Sequence, residues 1–519
     1  MKKWCAAGLA ALFVFCSALV AAAQDVTLTS HDGSIEVTGT LLGFDGEFYR
    51  VATQFGPLTV DGSGVSCDGP GCPNLSDYVA ELLFSGSSTM AEVLLPALVE
   101  GFALRSGYQA ERQEIDDSHF QYELKSPESG RTLGRFIFRV TNTDEGFADL
   151  LADEADLVMA LREIRPAERA RAIEAGMGDL TQPGRARVVA LDAMVPVVAP
   201  DNPVHEISAA QLAQVFSGQI VNWTDLGGPD APIALHLSAE GSGLAQIAED
   251  TLLRPGRLRL AEGVMRHAPT RGLVEAVMKD PFGIGLASLA ESGEARVLPL
   301  TGGCGFALAA TRRSIKTEDY PLTAPMFLYQ PARRLPKMGR AFLAYVGSPL
   351  AQIVIRRAGF VDQATEVIGL GLQGDRLANA ILTAGEEVSL DELQRMVGVL
   401  KPMSRLSLSF RFEPGSARPD AQSRTNILLL AEAIESGQFD ANALSFIGFS
   451  DGDGPAGSNM RIARARAEAV RNAVVKAAQA ATPGKITTHV EAFGEALPMA
   501  CDDSDWGRKV NRRVEVWVR

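Results

Sequence analysis

Histidine and cysteine are both scarce in this chain of 519 residues, with 6 of each. No His/Cys cluster shows metal-ligand spacing, and no Gly-rich dinucleotide fingerprint stands out, so no metal and no cofactor is expected. A hydrolase elbow is missing too. Ser242 sits in the run Glu240-Gly-Ser-Gly-Leu244 rather than in Gly-x-Ser-x-Gly, and no catalytic residue is assigned. Positive charge is in deficit, with 49 Lys+Arg against 63 Asp+Glu and a formal net charge of −14. Like charge repels phosphate backbones and anionic headgroups, which argues against nucleic acid and anionic membrane surfaces as partners. There are no repeats and no low-complexity tracts. What remains is 46% apolar and 22% charged, a globular composition, over a length that suits two to four domains.

The one long apolar run lies at the N-terminus. Lys2 and Lys3 form a basic region, Ala6 to Val20 an apolar stretch too short to span a membrane, and Ala21-Ala22-Ala23 a small-residue cleavage site before Gln24. Residues 1–23 therefore read as a cleaved secretory signal. The mature protein is expected in the periplasm and not integral to the membrane. Four cysteines then remain. Cys67 and Cys72 flank a Gly/Pro turn, and in an oxidising compartment a disulfide between them is preferred over a zinc site, since no second Cys/His pair stands nearby. The states of Cys304 and Cys501 stay open.

Residues 24–77 show short alternating strands (Val26–Thr29, Ile35–Gly39, Phe48–Val51, Leu58–Val60) separated by Asp32-Gly33 and Asp45-Gly46 turns, a small all-β unit with no evident chemistry. Residues 78–362 change to strands alternating with helices, an α/β pattern whose ligand sites lie at strand ends. Its length suits two lobes around a cleft. Val188–Leu191 and Met194–Val198 read there as two buried strands. Residues 363–402 form a joint containing a helix opened at Ser389 with Glu392 three residues on, and closed by Pro402. Residues 403–519 return to a strand-then-helix pattern.

In that last region Leu444–Phe449 is an apolar strand, 450–458 a Gly/Pro loop, and 459–478 a strong helix former. Asn459 and Arg466 are two helical turns apart and share a face. Asp451 lies on the loop entering the helix, and an acid and an arginine placed so can hold an ammonium and a carboxylate together. Gly448, Asp451, Gly454, Asn459, Ala463, Arg466, Ala467 and Val470, with Asn511-Arg512-Arg513-Val514, closely resemble the OmpA-like peptidoglycan-binding domain; Ser450 and Phe449 are mild departures. The resemblance implies an α+β domain in which Asp451 and Arg466 grip the diaminopimelate of a peptide stem and Asn459 supports the loop. The Arg512/Arg513 pair is expected to pack the last strand, and Asp502, Asp503 and Asp505 to form a solvated loop.

In the α/β region three polar segments open helices: Ser85 to Met90, Thr141 to Phe147 and Glu240 to Gly243. Hydroxyls and N–H groups at helix N-termini suit an oxyanion. Together with Glu145–Leu151, Glu154–Met159, Ala190–Val198, Asp201–Pro203, Leu212–Trp223, Phe282–Ala287 and Tyr320–Leu322, residues 80–361 resemble the periplasmic phosphate-binding proteins of ABC transporters. This implies a two-lobed periplasmic-binding-protein fold of type II. Carried over, the oxyanion site is Ser88, Thr89, Met90, Thr143, Ser242 and Gly243. The family's arginine is here Ser238, its threonine Leu244 and its aspartate Leu161, while Arg162 can supply positive charge. His236 is left out of the site.

The expected function is thus a wall-tethered periplasmic solute-binding protein, taking phosphate or a related small anion, bound to peptidoglycan, with an ABC permease as the implied partner. The alternative is a structural or sensory wall protein whose binding domain has lost phosphate and contacts protein partners.

Overall fold

The computed structural model describes residues 25–75, 77–268, 270–301, 307–413, 415–480, 484–502 and 505–519. The expected signal segment, Cys304 and Asp503 lie outside these residues. The chain divides into two compact units, Met1–Ala80 and Glu81–Arg519.

In the first unit, β1 (Val26–Ser30), β2 (Glu36–Phe44), β3 (Phe48–Thr53), β4 (Gly56–Asp61) and β5 (Val65–Asp68) form one antiparallel sheet of order β4-β3-β2-β1-β5. Gly33 and Gly46 take positive φ at the two expected turns, a conformation glycine adopts without steric cost. Val26, Leu28, Tyr49 and Val51 make a core of only four buried residues, too small to be self-sufficient by burial alone. The expected Cys67–Cys72 disulfide is present, with Cα atoms 5.9 Å apart, and reinforces it.

The second unit opens with β6 (Ala80–Ser87), followed by a π-turn at Met90–Leu94 and α1 (Leu95–Ser106). Then come β7 (Gln109–Glu114), β8 (His119–Lys125), β9 (Thr132–Thr141), α2 (Thr143–Leu151) and β10 (Leu157–Ala160). Next is β11 (Ala186–Val198), buried along nearly its whole length. The two runs expected as separate strands are this single strand, with an irregularity between Val188 and Ala190. Its first half pairs with β15 (Thr323–Tyr329), and its second half with β14 (Gly283–Ser288), which continues through β12 (Ala234–Ser238) to β13 (Met265–His267). One strand thus serves both lobes, and an unbroken apolar run is what burial on both faces demands.

The joint contributes β16 (Val367–Ile368) to the last domain's sheet and α3 (Leu390–Leu400), whose Ser389 hydroxyl accepts from the Glu392 amide at 3.2 Å. The last domain comprises β17 (Ser404–Phe410), α4 (Ala421–Glu435), β18 (Ala443–Phe449), α5 (Ala456–Ala477), β19 (Thr487–Gly494), α6 (Asp505–Asn511) and β20 (Arg513–Val518), with sheet order β16-β17-β20-β18-β19.

This domain is docked on the two-lobed one. Ala421, Met499, Ala500 and Val510 belong to the lobes' own apolar core. Beside them a buried ion network crosses between domains. Arg405 donates to both Asp319 oxygens at 2.6 and 3.0 Å and approaches Glu515 at 3.4 Å, while Arg376 and Arg513 also bond Glu515. The arginines hold the Glu515 carboxyl well below its usual range against the opposing effect of burial. Cys501 is buried and disulfide-bonded. No single helix among the described residues is long and apolar enough to cross a membrane.

Candidate functional site

The clamp in the last domain forms where β18 ends and α5 begins. Gly448 lies so close to the Ala463 carbonyl that a Cβ there would collide with it, which explains the glycine and sets the strand against the helix. Asn459, Ala463, Arg466, Ala467 and Val470 are the buried face of α5. Arg466 is only 2% exposed, its guanidinium stacked 5.1 Å from the centre of the Phe412 ring and its Nε 3.4 Å from the Ser416 carbonyl. Burial, and then the like charge of Arg512, pull its pKa down, opposed by Asp451. Among the described residues its terminal nitrogens donate no hydrogen bond.

Asp451 is 9% exposed, and its Oδ2 is 2.5 Å from Arg512 Nη1. Arg512 therefore belongs to the clamp, while Arg513 alone packs the strand, donating to Glu515 and to the Leu497 carbonyl. The sequence did not separate these neighbours; the structure does, because β20 begins at Arg513 and Arg512 stands just before it. Asn459 Nδ2 donates to the Gly454 carbonyl at 3.3 Å and to Glu495 at 3.2 Å, tying loop to strand. Burial, with neighbouring acids, raises the Glu495 carboxyl. Asp505 is exposed as expected, and Asp502 is half-buried and held in place, accepting from the Gly452 amide at 2.7 Å and from Asn511 at 2.9 Å. Acids and arginines thus converge as a bipolar surface suited to a zwitterion.

The cleft residues come together differently. Ser88 and Thr89 follow β6 and are partly exposed, while Met90 is fully buried at the start of the π-turn. Thr143 opens α2, fully buried, its hydroxyl accepting from the Leu161 amide at 3.1 Å. Ser242 caps the short helix Gly243–Ile247 through the Ala245 amide at 3.3 Å. Leu161 then reaches across from one lobe to the other. A Cβ on Gly243 would stand 2.7 Å from Leu161 Cδ1, so the leucine occupies the space between them.

Arg162, the candidate cation, is committed elsewhere. It donates to both Glu168 oxygens at 2.6 and 2.9 Å, to Asp144, and to the Glu163 carbonyl, with its face over Phe147 at 5.4 Å. Burial pulls its pKa down, but the two carboxylates more than offset this and leave it raised. Arg165 adds a bridge between lobes to Asp250 at 3.1 Å. Ser87 and Ser238 hydroxyls are buried and unpartnered among the described residues. His236 bonds His267 at 2.9 Å, and burial lowers its pKa.

At the cleft mouth the docked domain closes a chamber of about 210 Å³, where Glu163 and Asp250 of the lobes face Asp420, Trp506 and Lys509. Asn426 donates to Glu318 at 3.2 Å there, and the Ala421 amide to Glu163 at 3.0 Å.

Residues 73–349 match the PBP superfamily domain, and residues 411–512 the OmpA family. Protein SphX of Synechococcus elongatus is 25% identical over 279 residues, covering 50% of this chain and 80% of SphX. The phosphate-binding protein PstS of Borreliella burgdorferi is 22% identical, covering 36% of this chain and 69% of that protein. Outer membrane porin F of Pseudomonas fluorescens is 31% identical over 113 residues, covering 22% of this chain and 32% of the porin. Among solved structures, an ABC-type phosphate transport receptor from Vibrio cholerae aligns at 19% identity and a TM-score of 0.41, covering 54% of this chain and 99% of the receptor. The chain belongs to the PBP superfamily, with an OmpA-family domain joined to its two lobes.

Proposed function

We propose that this is an exported envelope protein attached to peptidoglycan through its OmpA-family domain, carrying a binding-protein domain that no longer takes phosphate. The observation that carries the attachment is the clamp: Arg466 held by Phe412 with its terminal nitrogens unbonded among the described residues, beside an Asp451 aligned by Arg512. A diaminopimelate stem offers an ammonium for Asp451 and a carboxylate for Arg466, and Asn459 fixes the loop between them. The PstS relative of the central domain is a phosphate-binding protein, and it supports a binding role, without catalysis, for this domain. Export rests on the basic, apolar and Ala-rich order of residues 1–23; N-terminal sequencing of the periplasmic protein should begin at Gln24.

The oxyanion reading assigns Ser88, Thr89, Met90, Thr143, Arg162, Ser242 and Gly243 to an anion such as phosphate, delivered to an ABC permease. It requires Leu161 to withdraw from Gly243, and Arg162 to leave Asp144 and Glu168. Charge-assisted bonds are each worth roughly 1.5–3 kcal/mol, so giving up those carboxylates offsets what the anion returns. The observation favouring the reading without phosphate is the docked domain over the cleft mouth, where a membrane partner would need access. On this reading the lobes are a closed scaffold. Calorimetric titration of the full chain with phosphate tests it: absence of heat is expected, and saturable binding would restore the transport reading.

A further inference from the structure

A second cavity, of about 420 Å³, lies between α4 and α5 of the OmpA-family domain and the Thr181–Ala186 segment of the adjoining lobe. It owes its volume to small side chains. Ala473 and Ala477 on α5 face Ile427 and Leu428 on α4, and alanines leave unfilled the space a larger residue would take. Leu428 is 42% exposed there. Protein interiors seldom leave voids larger than a water molecule, and ligand pockets of roughly 300–1,000 Å³ are mostly apolar with a few placed polar groups.

The charged groups here are cationic. Arg424 and Lys476 line the cavity and no carboxylate does, in a chain whose formal net charge is −14. Arg424 donates from one terminal nitrogen to the Pro419 carbonyl at 3.0 Å, and that nitrogen stands 3.8 Å from Glu413. Its other nitrogens, and the Lys476 ammonium, carry no hydrogen bond among the described residues. An apolar trough with two available cations complements a carboxylate on a hydrocarbon tail: the tail is removed from water along the alanine wall while the head meets a guanidinium and an ammonium.

We propose that this cavity binds one monomeric carboxylate amphiphile, of the medium-chain fatty-acid class, across the junction of the two domains. A bilayer is not the partner. The trough is a pocket rather than a flat apolar face, and the chain as a whole carries a formal net charge of −14.

The test is calorimetry of the full chain with sodium decanoate, with acetate and decyltrimethylammonium as head-only and wrong-charge controls. Saturable binding of one decanoate per chain, with neither control competing, is expected. Lys476→Glu should weaken it by about tenfold, equivalent to roughly 1.4 kcal/mol. Ala473→Trp should abolish it by filling the trough. Should Ala473→Trp fail to fold, Leu428→Ser, at an exposed position, should still reduce affinity with an unchanged melting temperature. Equal binding of decyltrimethylammonium, decanoate affinity indifferent to both Lys476→Glu and Leu428→Ser, or binding only to decanoate-free phospholipid vesicles would each overturn the proposal.

Discussion

Arg466 in the C-terminal domain and Arg162 at the cleft share much of their surroundings. Both are largely covered, and both stack over a phenylalanine, Phe412 at 5.1 Å and Phe147 at 5.4 Å. They differ in their counter-ions. Arg162 is bonded by Glu168 and Asp144, so its charge is spent inside the protein. Near Arg466 the one close acid among the described residues, Asp451, is taken by Arg512 instead, which leaves a guanidinium aligned by packing and with no carboxylate bonded to it among those residues. An arginine is a ligand-binding group only where the fold withholds its carboxylates. The site kept by residue type alone and the site kept by electrostatics are thus different sites.

The largest expected effect separates the two regions mechanically. Removing Arg405 takes from the buried Asp319 its two-bond partner, while Arg376 and Arg513 still hold Glu515, and breaking a buried pair costs about 3–5 kcal/mol. Arg405→Ala should therefore lower the melting temperature of the Glu81–Arg519 unit markedly; an unchanged thermal scan would mean the docking is loose. Next in size is the clamp itself. Asp451→Ala and Arg466→Ala should each cost roughly 2–5 kcal/mol of binding, seen as loss of sedimentation with purified peptidoglycan. Full retention by both would transfer attachment to some other surface.

The cleft is tested by reversing its condition. In the double variant Asp144→Asn, Glu168→Gln the Arg162 guanidinium is released, and Leu161→Ala opens the space against Gly243. The triple variant should gain phosphate affinity by roughly 1.5–3 kcal/mol for the recovered charge-assisted bond, measured by calorimetry. No gain would show that the lost Ser238 and Leu244 positions matter more than the captured arginine.

A further effect is one of pH. Burial, and then the negative charge of Asp420, push the Glu318 carboxyl up to about 8 from 4.5. An acid whose folded-state pKa is raised binds more protons folded than unfolded between those values. Stability is therefore greatest below about 4.5 in this contribution and declines as pH rises toward 8. Glu318→Gln should flatten that slope, so its melting temperature should exceed the wild type's more at pH 8 than at pH 5. A constant difference would place Glu318 in open solvent.

Much of this was legible in residue order. The Gly448–Val470 register identified strand, loop and helix, because the small residue at 448 and the polar residues on one face of α5 have few other structural uses. The Cys67–Cys72 pair followed from a tight turn in a chain expected to be exported. What sequence could not supply were relations between distant segments. Whether Arg162 is free depends on Asp144 and Glu168 lying on two separate helices, and whether Arg512 packs or binds depends on its standing just before β20, against the loop that carries Asp451. The long strand β11 looked like two because its middle carries Asp192, buried and bonded to Ser288, a polar residue that reads as a break until its partner is known. The docking of the domains rests on Arg405, Asp319 and Glu515, ordinary charges in sequence and buried in the fold.

Binding capacity is proposed to reside in the clamp and to have left the cleft. A pair of calorimetric titrations on one preparation of the full chain, with a soluble diaminopimelate-containing muropeptide and with phosphate, tests this most directly. Saturable binding of the muropeptide, abolished in Arg466→Ala, and no heat from phosphate are expected. Phosphate binding with no response to the muropeptide would contradict it.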